Sequence, residues 1–361
     1  MPTKLLRPNV GIYVAAADAF ANYKTPTIAE ITAATKVFNI SPAITDDYTL
    51  NMTDSDSDDS LAIVDNASVS TPTYYNYEAS LDGFRDENPT ATSVYNKFRD
   101  LFKNPDVKYY LIKRVGFAHN AAFAVGQEVS IYGVKTDFPV ELLGDGEMIR
   151  DGARFLTTGE VAVNVPVVTG GTAGTGPALA STVGTKTTAN GKIKVWWIPA
   201  ANITGTEDAW IAAPDITDFS ASGSIDLTSA IAWDSYELGS TDSNKIDDRG
   251  IVDEGAVQER GFAQFTGSLM FFRGITSETT GAYSNAYDAF KAATDGTRPV
   301  GFLVTRVGLP NTTALAAGQT VSAYKFIADA FMDNTEGEDS VKFMVNFAPQ
   351  GKLGVNVATV A

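Results

Sequence analysis

Few side chains in this chain have the types and spacing that chemistry needs. The sole histidine, His119, lies in an Ala/Asn-rich stretch, and Asn311 holds the matching place 192 positions later. A general base needs an orienting partner in a fixed setting, so His119 reads as a loop residue. The run Gly170-Gly171-Thr172-Ala173-Gly174-Thr175-Gly176 has the glycine density of a phosphate-binding loop but lacks the Lys-Ser/Thr that reaches phosphate and Mg²⁺. The acidic run Asp54-Ser55-Asp56-Ser57-Asp58-Asp59, with Asp65 beyond it, spaces carboxylates in the order of a Ca²⁺ loop. Asp59 stands where that loop needs glycine, Asp65 where it needs Glu, and no helices flank it. A solvated hairpin tip is the plainer reading. Tyr74, Tyr75 and Tyr77, with Trp196, Trp197 and Trp210, offer aromatic faces for a sugar or a base. Their strand-like alternation, and the match of Phe262 and Phe265 to Tyr74 and Tyr77, favours core or subunit contacts instead. No catalytic residue, metal or cofactor is expected.

Composition narrows the classes further. The chain has 361 residues, 44% of them hydrophobic, with a net charge of −16 and no cysteine. Clustered Lys and Arg, which phosphate-backbone binding needs, are absent, and so are disulfides and thiolate metal sites. Lys4 and Arg7 precede an apolar stretch that Asp18 interrupts, which is unlike a signal peptide. No apolar run approaches the length of a membrane span. A soluble protein made in the bacterial cytoplasm is expected, without membrane insertion.

The chain says nearly the same thing twice. Leu111-Ile112-Lys113-Arg114-Val115-Gly116 returns as Leu303-Val304-Thr305-Arg306-Val307-Gly308. Gly126-Gln127 returns as Gly318-Gln319, and Gly159-x-Val161-x-Val163-Asn164-Val165 as Gly351-x-Leu353-x-Val355-Asn356-Val357. Residues 93–166 and 285–358 share about 19 identities over 74 positions without a gap. Upstream the offset is 188, and Thr53-Asp54-Ser55 recurs as Thr241-Asp242-Ser243. The leading segments correspond loosely, setting Tyr13 beside Trp197 and Asp58 opposite Ile246 further on. Fixed offsets of this length mark a duplicated structural unit. The domains are read as 1–168 and 192–361, joined by a Gly/Thr-rich linker at 169–191.

Strand signals dominate both units. Tyr109–Val115, Glu128–Val134, Val161–Val168 and their partners Val300–Val307, Thr320–Phe326 and Val341–Phe347 are rich in Val, Ile, Tyr and Phe. One helix per unit is expected, with Val94, Phe98, Leu101 and Phe102 on one face behind Thr92 or Ser93 as N-cap. Its partner starts near Ser284 and carries Ala286, Tyr287, Phe290 and Ala293. The fold class is all-β: a β-sandwich or partly open barrel with a flanking α-helix in each of two tandem domains.

Val195-Trp196-Trp197-Ile198-Pro199-Ala200, followed by Ala213-Pro214-x-Ile216, resembles the opening of major tail tube proteins of long-tailed bacteriophages, especially those of actinobacteria. Gly301-Phe302-Leu303-Val304-x-Arg306, Gly318-x-x-Val321-x-x-Tyr324 and Phe347-x-Pro349-x-Gly351-x-x-x-Val355-Asn356 extend the resemblance through the second unit. The first unit is similar, with Ile12-Tyr13-Val14 for the Val-Trp-Trp-Ile run. The resemblance implies a tube subunit of the virion tail, whose rings stack into a hollow conduit for the genome. Most members carry one domain and form hexameric rings, so two domains per chain imply a trimeric, pseudo-sixfold ring. Implied partners are other copies of the chain, a tape measure protein in the lumen, tail-tip or baseplate and terminator proteins, and DNA in transit without specific binding. Other virion roles (baseplate hub, terminator, decoration protein) and a carbohydrate-binding β-sandwich are the alternatives.

Candidate functional residues are accordingly contact residues. The loops 51–62 and 239–250 are expected to touch the next ring through Thr53, Asp54, Asp56, Asp58 and Asp59, and through Thr241, Asp242, Asn244, Asp247 and Asp248. The leading arm 1–25 and its partner 192–213 are expected to reach a neighbour through Ile12, Tyr13 and Val14, and through Trp196, Trp197 and Ile198. The linker is expected to lie outside the tube wall.

Overall fold

The computed structural model of the chain describes residues 9–53, 56–59, 70–74, 76–144, 147–179, 182–189, 191–233, 236–247, 257–273, 281–291, 298–334 and 341–361. The first unit contains strands β1 (Val10–Ala16), β2 (Val37–Asn39), β3 (Ile44–Met52), β4 (Asp56–Asp59), β5 (Ser70–Tyr74), β6 (Tyr77–Phe84), β7 (Lys108–Val115), β8 (Glu128–Thr136), β9 (Val140–Leu142) and β10 (Arg150–Pro166). Helix α1 (Ile28–Ile31) follows β1, and α2 (Val94–Phe102) follows β6. The second unit contains β11 (Ile193–Pro199), β12 (Ile225–Asp226), β13 (Glu237–Thr241), β14 (Lys245–Asp247), β15 (Gln258–Arg260), β16 (Gln264–Phe272), β17 (Val300–Val307), β18 (Thr320–Asn334) and β19 (Lys342–Ala358). Its helices are α3 (Glu207–Ala212) and α4 (Ala282–Phe290).

Duplication in sequence is duplication in topology. The strands form open antiparallel sheets in the order β2-β1-β7-β8-β10-β6-β3 and β12-β11-β17-β18-β19-β16-β13, with β9 paired to β10. Small hairpins, β4–β5 and β14–β15, stand apart in each unit. The all-β expectation holds, and so does the helix at Val94–Phe102, where the Ser93 hydroxyl accepts from Asn96 N–H as N-cap. A second, shorter helix in each unit was not foreseen. Thr27 and Glu30 close a capping box on α1, which lets four residues hold a helical turn.

These two helices explain why the leading segments are strands and not arms. Side chains along a strand alternate between faces. Ile12 and Val14 point to the α2 side, with Leu111, Tyr132 and Phe98. Tyr13 and Ala15 point to the α1 side, with Ile31, Ile112 and Ile131. The second unit repeats this: Trp197 packs with Phe290 of α4, and Trp196 and Ile198 with Trp210 of α3. A strand covered on both faces reads as an unbroken apolar run, and Val-Trp-Trp-Ile is such a run. Register also corrects the correspondence of the leading strands. Tyr13 pairs with Ile112 and Trp196 with Val304, so Tyr13 matches Trp196, not Trp197.

The repeated motifs have local causes. Gly159 and Gly351 adopt φ of 75° and 69°, while Asn164 and Asn356 adopt 50° and 54°. Register shifts occur around these residues in both long strands, so each motif encodes two bulges, one on glycine and one on asparagine. Ser130 Oγ and Ser322 Oγ accept the Asn164 and Asn356 amides at 3.1 and 3.2 Å.

The Arg-Val-Gly…Gly-Gln motif builds the loop after β7 and β17. Arg114 is fully buried and donates to the carbonyls of Ala118 and Ala121 at 2.8 Å each, and to Ala122 O and Gln127 Oε1 at 3.3 Å. Arg306 does the same with Pro310, Thr313, Ala314 and Gln319. A guanidinium is the one side chain with enough donors in one plane for four acceptors. Removing it takes away four hydrogen bonds from a charged donor, each contributing about 1.5–3 kcal/mol. Arg306→Ala is expected to destabilise the protein by about 3 kcal/mol or more, measured as a lower urea midpoint, whereas Lys291→Ala, at a side chain 52% exposed, is expected to change it far less.

Candidate assembly interface

The expected contact residues divide into four groups. Ile12, Tyr13, Val14, Trp196, Trp197 and Ile198 lie in β1 and β11 with side chains at most 5% exposed, inside the units that carry them. Trp210 is equally buried at 2%, so these tryptophans form no open platform. Thr53 and Asn244 are exposed and Thr241 half-buried. Asp56, Asp58, Asp59 and Asp247 fall on the hairpin strands β4 and β14; Asp54, Asp65, Tyr75 and Asp248 lie outside the described residues. His119 supports its loop: its carbonyl accepts from Tyr13 Oη at 2.8 Å and Asn39 Nδ2 at 2.9 Å.

The richest polar contacts join the two units, and they centre on a residue that no motif had marked. Asp137 sits in the break between β8 and β9 and is 1% exposed. Its carboxylate accepts from Ser243 N–H at 3.0 Å and from Ser243 Oγ at 2.7 Å. Ser240 Oγ, on the edge strand β13, donates to Pro139 O. Edge strand β13 thereby lies against β9 of the first unit. Around this seat Arg260 donates to Asp106 at 2.5 Å and covers the Phe138 ring at 4.6 Å. Arg154, held by Asp82 at 2.7 Å, stands 3.5 Å from Asp242. Val257 makes an antiparallel bridge with Thr158. The recurrent Thr-Asp-Ser tripeptide is, in its second copy, the plug of this junction.

Behind the plug is a buried ion cluster. Arg85 binds Asp151 through two nitrogens and Glu141 at 2.9 Å, all with side chains 3–4% exposed. Burial alone would lower the Arg85 pKa, but Asp151 and Glu141 raise it further, so the guanidinium stays charged. Burial and the Glu141 charge hold the Tyr236 hydroxyl of the second unit well above its usual range. Leu143 and Ile149 join the second unit's core cluster, so apolar packing crosses the junction too.

The linker is a strap and not a free tether. Ala178 exchanges backbone hydrogen bonds with Val37 and Asn39 of edge strand β2 at 2.8 Å each. Thr182, Thr185 and Thr187 then accept from Val94, Glu87 and Ile149, and Ala189 ends buried in the second unit's core. The glycines permit the turns, while threonine and alanine supply the pairing.

Two copies of one sheet-forming unit, joined by an edge strand docked in a seat, define a protein built for assembly. Each unit matches the model of the phage tail tube protein family, over residues 1–170 and 181–361. The chain belongs to that family and carries its domain twice; it is a structural component of the virion tail, working with other tail components. No curated protein matches it. A solved chain from the "anti-feeding prophage (AFP) baseplate, 6-fold symmetrised" is 12% identical with a TM-score of 0.29, covering 48% of this chain and 99% of that one; so slight a likeness carries no argument. Among the described residues, no helix is long and apolar enough to cross a membrane.

Asp137→Ala is expected to leave the Ser243 donors buried without a partner, costing about 1–3 kcal/mol at the junction. Limited proteolysis checks this: cleavage should rise within 239–250 while both unit cores stay protected.

Proposed function

We propose that three chains close into a pseudo-sixfold ring of six units, and that rings stack into the tube of a long phage tail through which the genome is ejected. The docking of β13 against β9 carries this reading. One junction of the ring is already made within the chain, leaving an equivalent edge, β3, at one end and an equivalent face of the second unit at the other. Closure by a small number of identical chains satisfies such complementary ends without leaving a growing edge. The acidic balance of the chain suits a lumen that must not trap phosphates. Binding of the tape measure, tail-tip and terminator proteins belongs to the same reading.

In this arrangement the loops 51–62 and 239–250 reach the next ring through Asp56, Asp58 and Asp59 and through Asn244 and Asp247, beyond the plug residues at their bases. The linker faces outwards. Cryo-electron microscopy of the purified chain is expected to show stacked rings of three chains; six chains per ring would overturn the stoichiometry. Deleting residues 51–62 is expected to stop tube growth in a protein that remains folded, and normal tubes from that variant would remove the loop from the ring-to-ring contact.

A further inference from the structure

The second unit carries a seat like that of the first, and its described residues are the more exposed. The two seats correspond residue by residue, because Arg85 N–H donates to Ile149 O at 3.1 Å and Arg273 N–H to Val341 O at 2.9 Å. Ile149 is fully buried in the junction, whereas Val341 is 46% exposed. Asp137 is 1% exposed under the plug; its counterpart Asp329 has a side chain 43% exposed, paired with Arg298 at 3.1 Å. Val140 is half-buried, and its counterpart Met332 is 40% exposed. At these three positions, groups that the second unit covers on the first are more exposed on the second.

The first unit carries the matching plug. Its β3 is the outer strand of its sheet, as β13 is in the second unit. Thr53 and Thr241 hold the same place: Thr53 N–H donates to Asn76 O, and Thr241 is the register partner of Gln264 at the same offset. Both threonines open the same Thr-Asp-Ser tripeptide. Charge differs at a matched position of the two seats: inside the chain acidic Asp106 receives basic Arg260, and on the open seat Arg298 stands in the place of Asp106, so the two seats select partners of different charge.

We propose that the open face of the second unit, formed by Arg298, Asp329, Met332 and Val341, is the docking seat for the β3 edge of the first unit in a second copy of this chain. The proposal rests on the ring reading above and names the contact that closes the ring. The chain contains no cysteine, so Thr53→Cys and Asp329→Cys together supply its only thiols. A short bis-maleimide is expected to join this full-length double variant into linked dimers and a closed covalent ring on a denaturing gel. Rings in electron micrographs without interchain linkage, or with linkage confined to single chains, would overturn the seat and leave the tube reading standing. Absence of rings and tubes from the unmodified chain would overturn the tube reading itself. Arg298 is 63% exposed, so Arg298→Glu should keep its circular dichroism spectrum but lose ring formation; rings formed as readily as by the unmodified chain would also overturn the seat.

Discussion

An open antiparallel sheet ends in a strand whose outer N–H and C=O groups need partners, and the rest of this protein is arranged around that constraint. Each unit has two such ends. In the first unit, one end, β2, is covered by the strap through Ala178. In the second, the end at β13 is met by the break after β8, where Pro139 and Asp137 present acceptors to Ser240 and Ser243. Long strands with paired bulges aim these edges, and the buried arginines hold the loops at the other end of the sheet. An edge left bare invites uncontrolled pairing; an edge with a dedicated seat gives ordered pairing.

Much of this was legible in the residues. The Arg-Val-Gly…Gly-Gln motif recurs because one guanidinium must meet four acceptors, and the Gly-x-Val-x-Val-Asn-Val motif because two bulges need positive φ. Both are local demands, so they leave local signatures. The Val-Trp-Trp-Ile run misled for an equally physical cause: apolar on every residue, it lacks the alternation of a half-buried strand, and without α3 in view it resembled an arm in search of a neighbour. Asp137 left no signature at all. Its role depends on a partner 106 positions away, and an aspartate between Thr136 and Phe138 looks like any turn residue.

The two units share a fold while differing where they meet other surfaces. Core positions exchange like for like, as with Ile112 and Val304 or Phe98 and Phe290. Junction positions exchange sign or size, as with Asp106 and Arg298. Packing tolerates only small changes in volume, whereas surface charge is free to drift until a partner constrains it. Duplication therefore allows one fold to carry two contact chemistries, and specificity between near-identical domains needs some repulsive distinction.

The strap has a kinetic consequence. Joining the units covalently turns their docking into an intramolecular event, with an effective concentration on the order of millimolar for a short connection. Pinned along the first unit and buried at Ala189, the strap also delivers the second unit in one orientation, which lowers the entropy lost on docking. The intrachain junction is consequently insensitive to dilution. Only contacts between chains obey mass action, so protein concentration acts on assembly through those contacts alone.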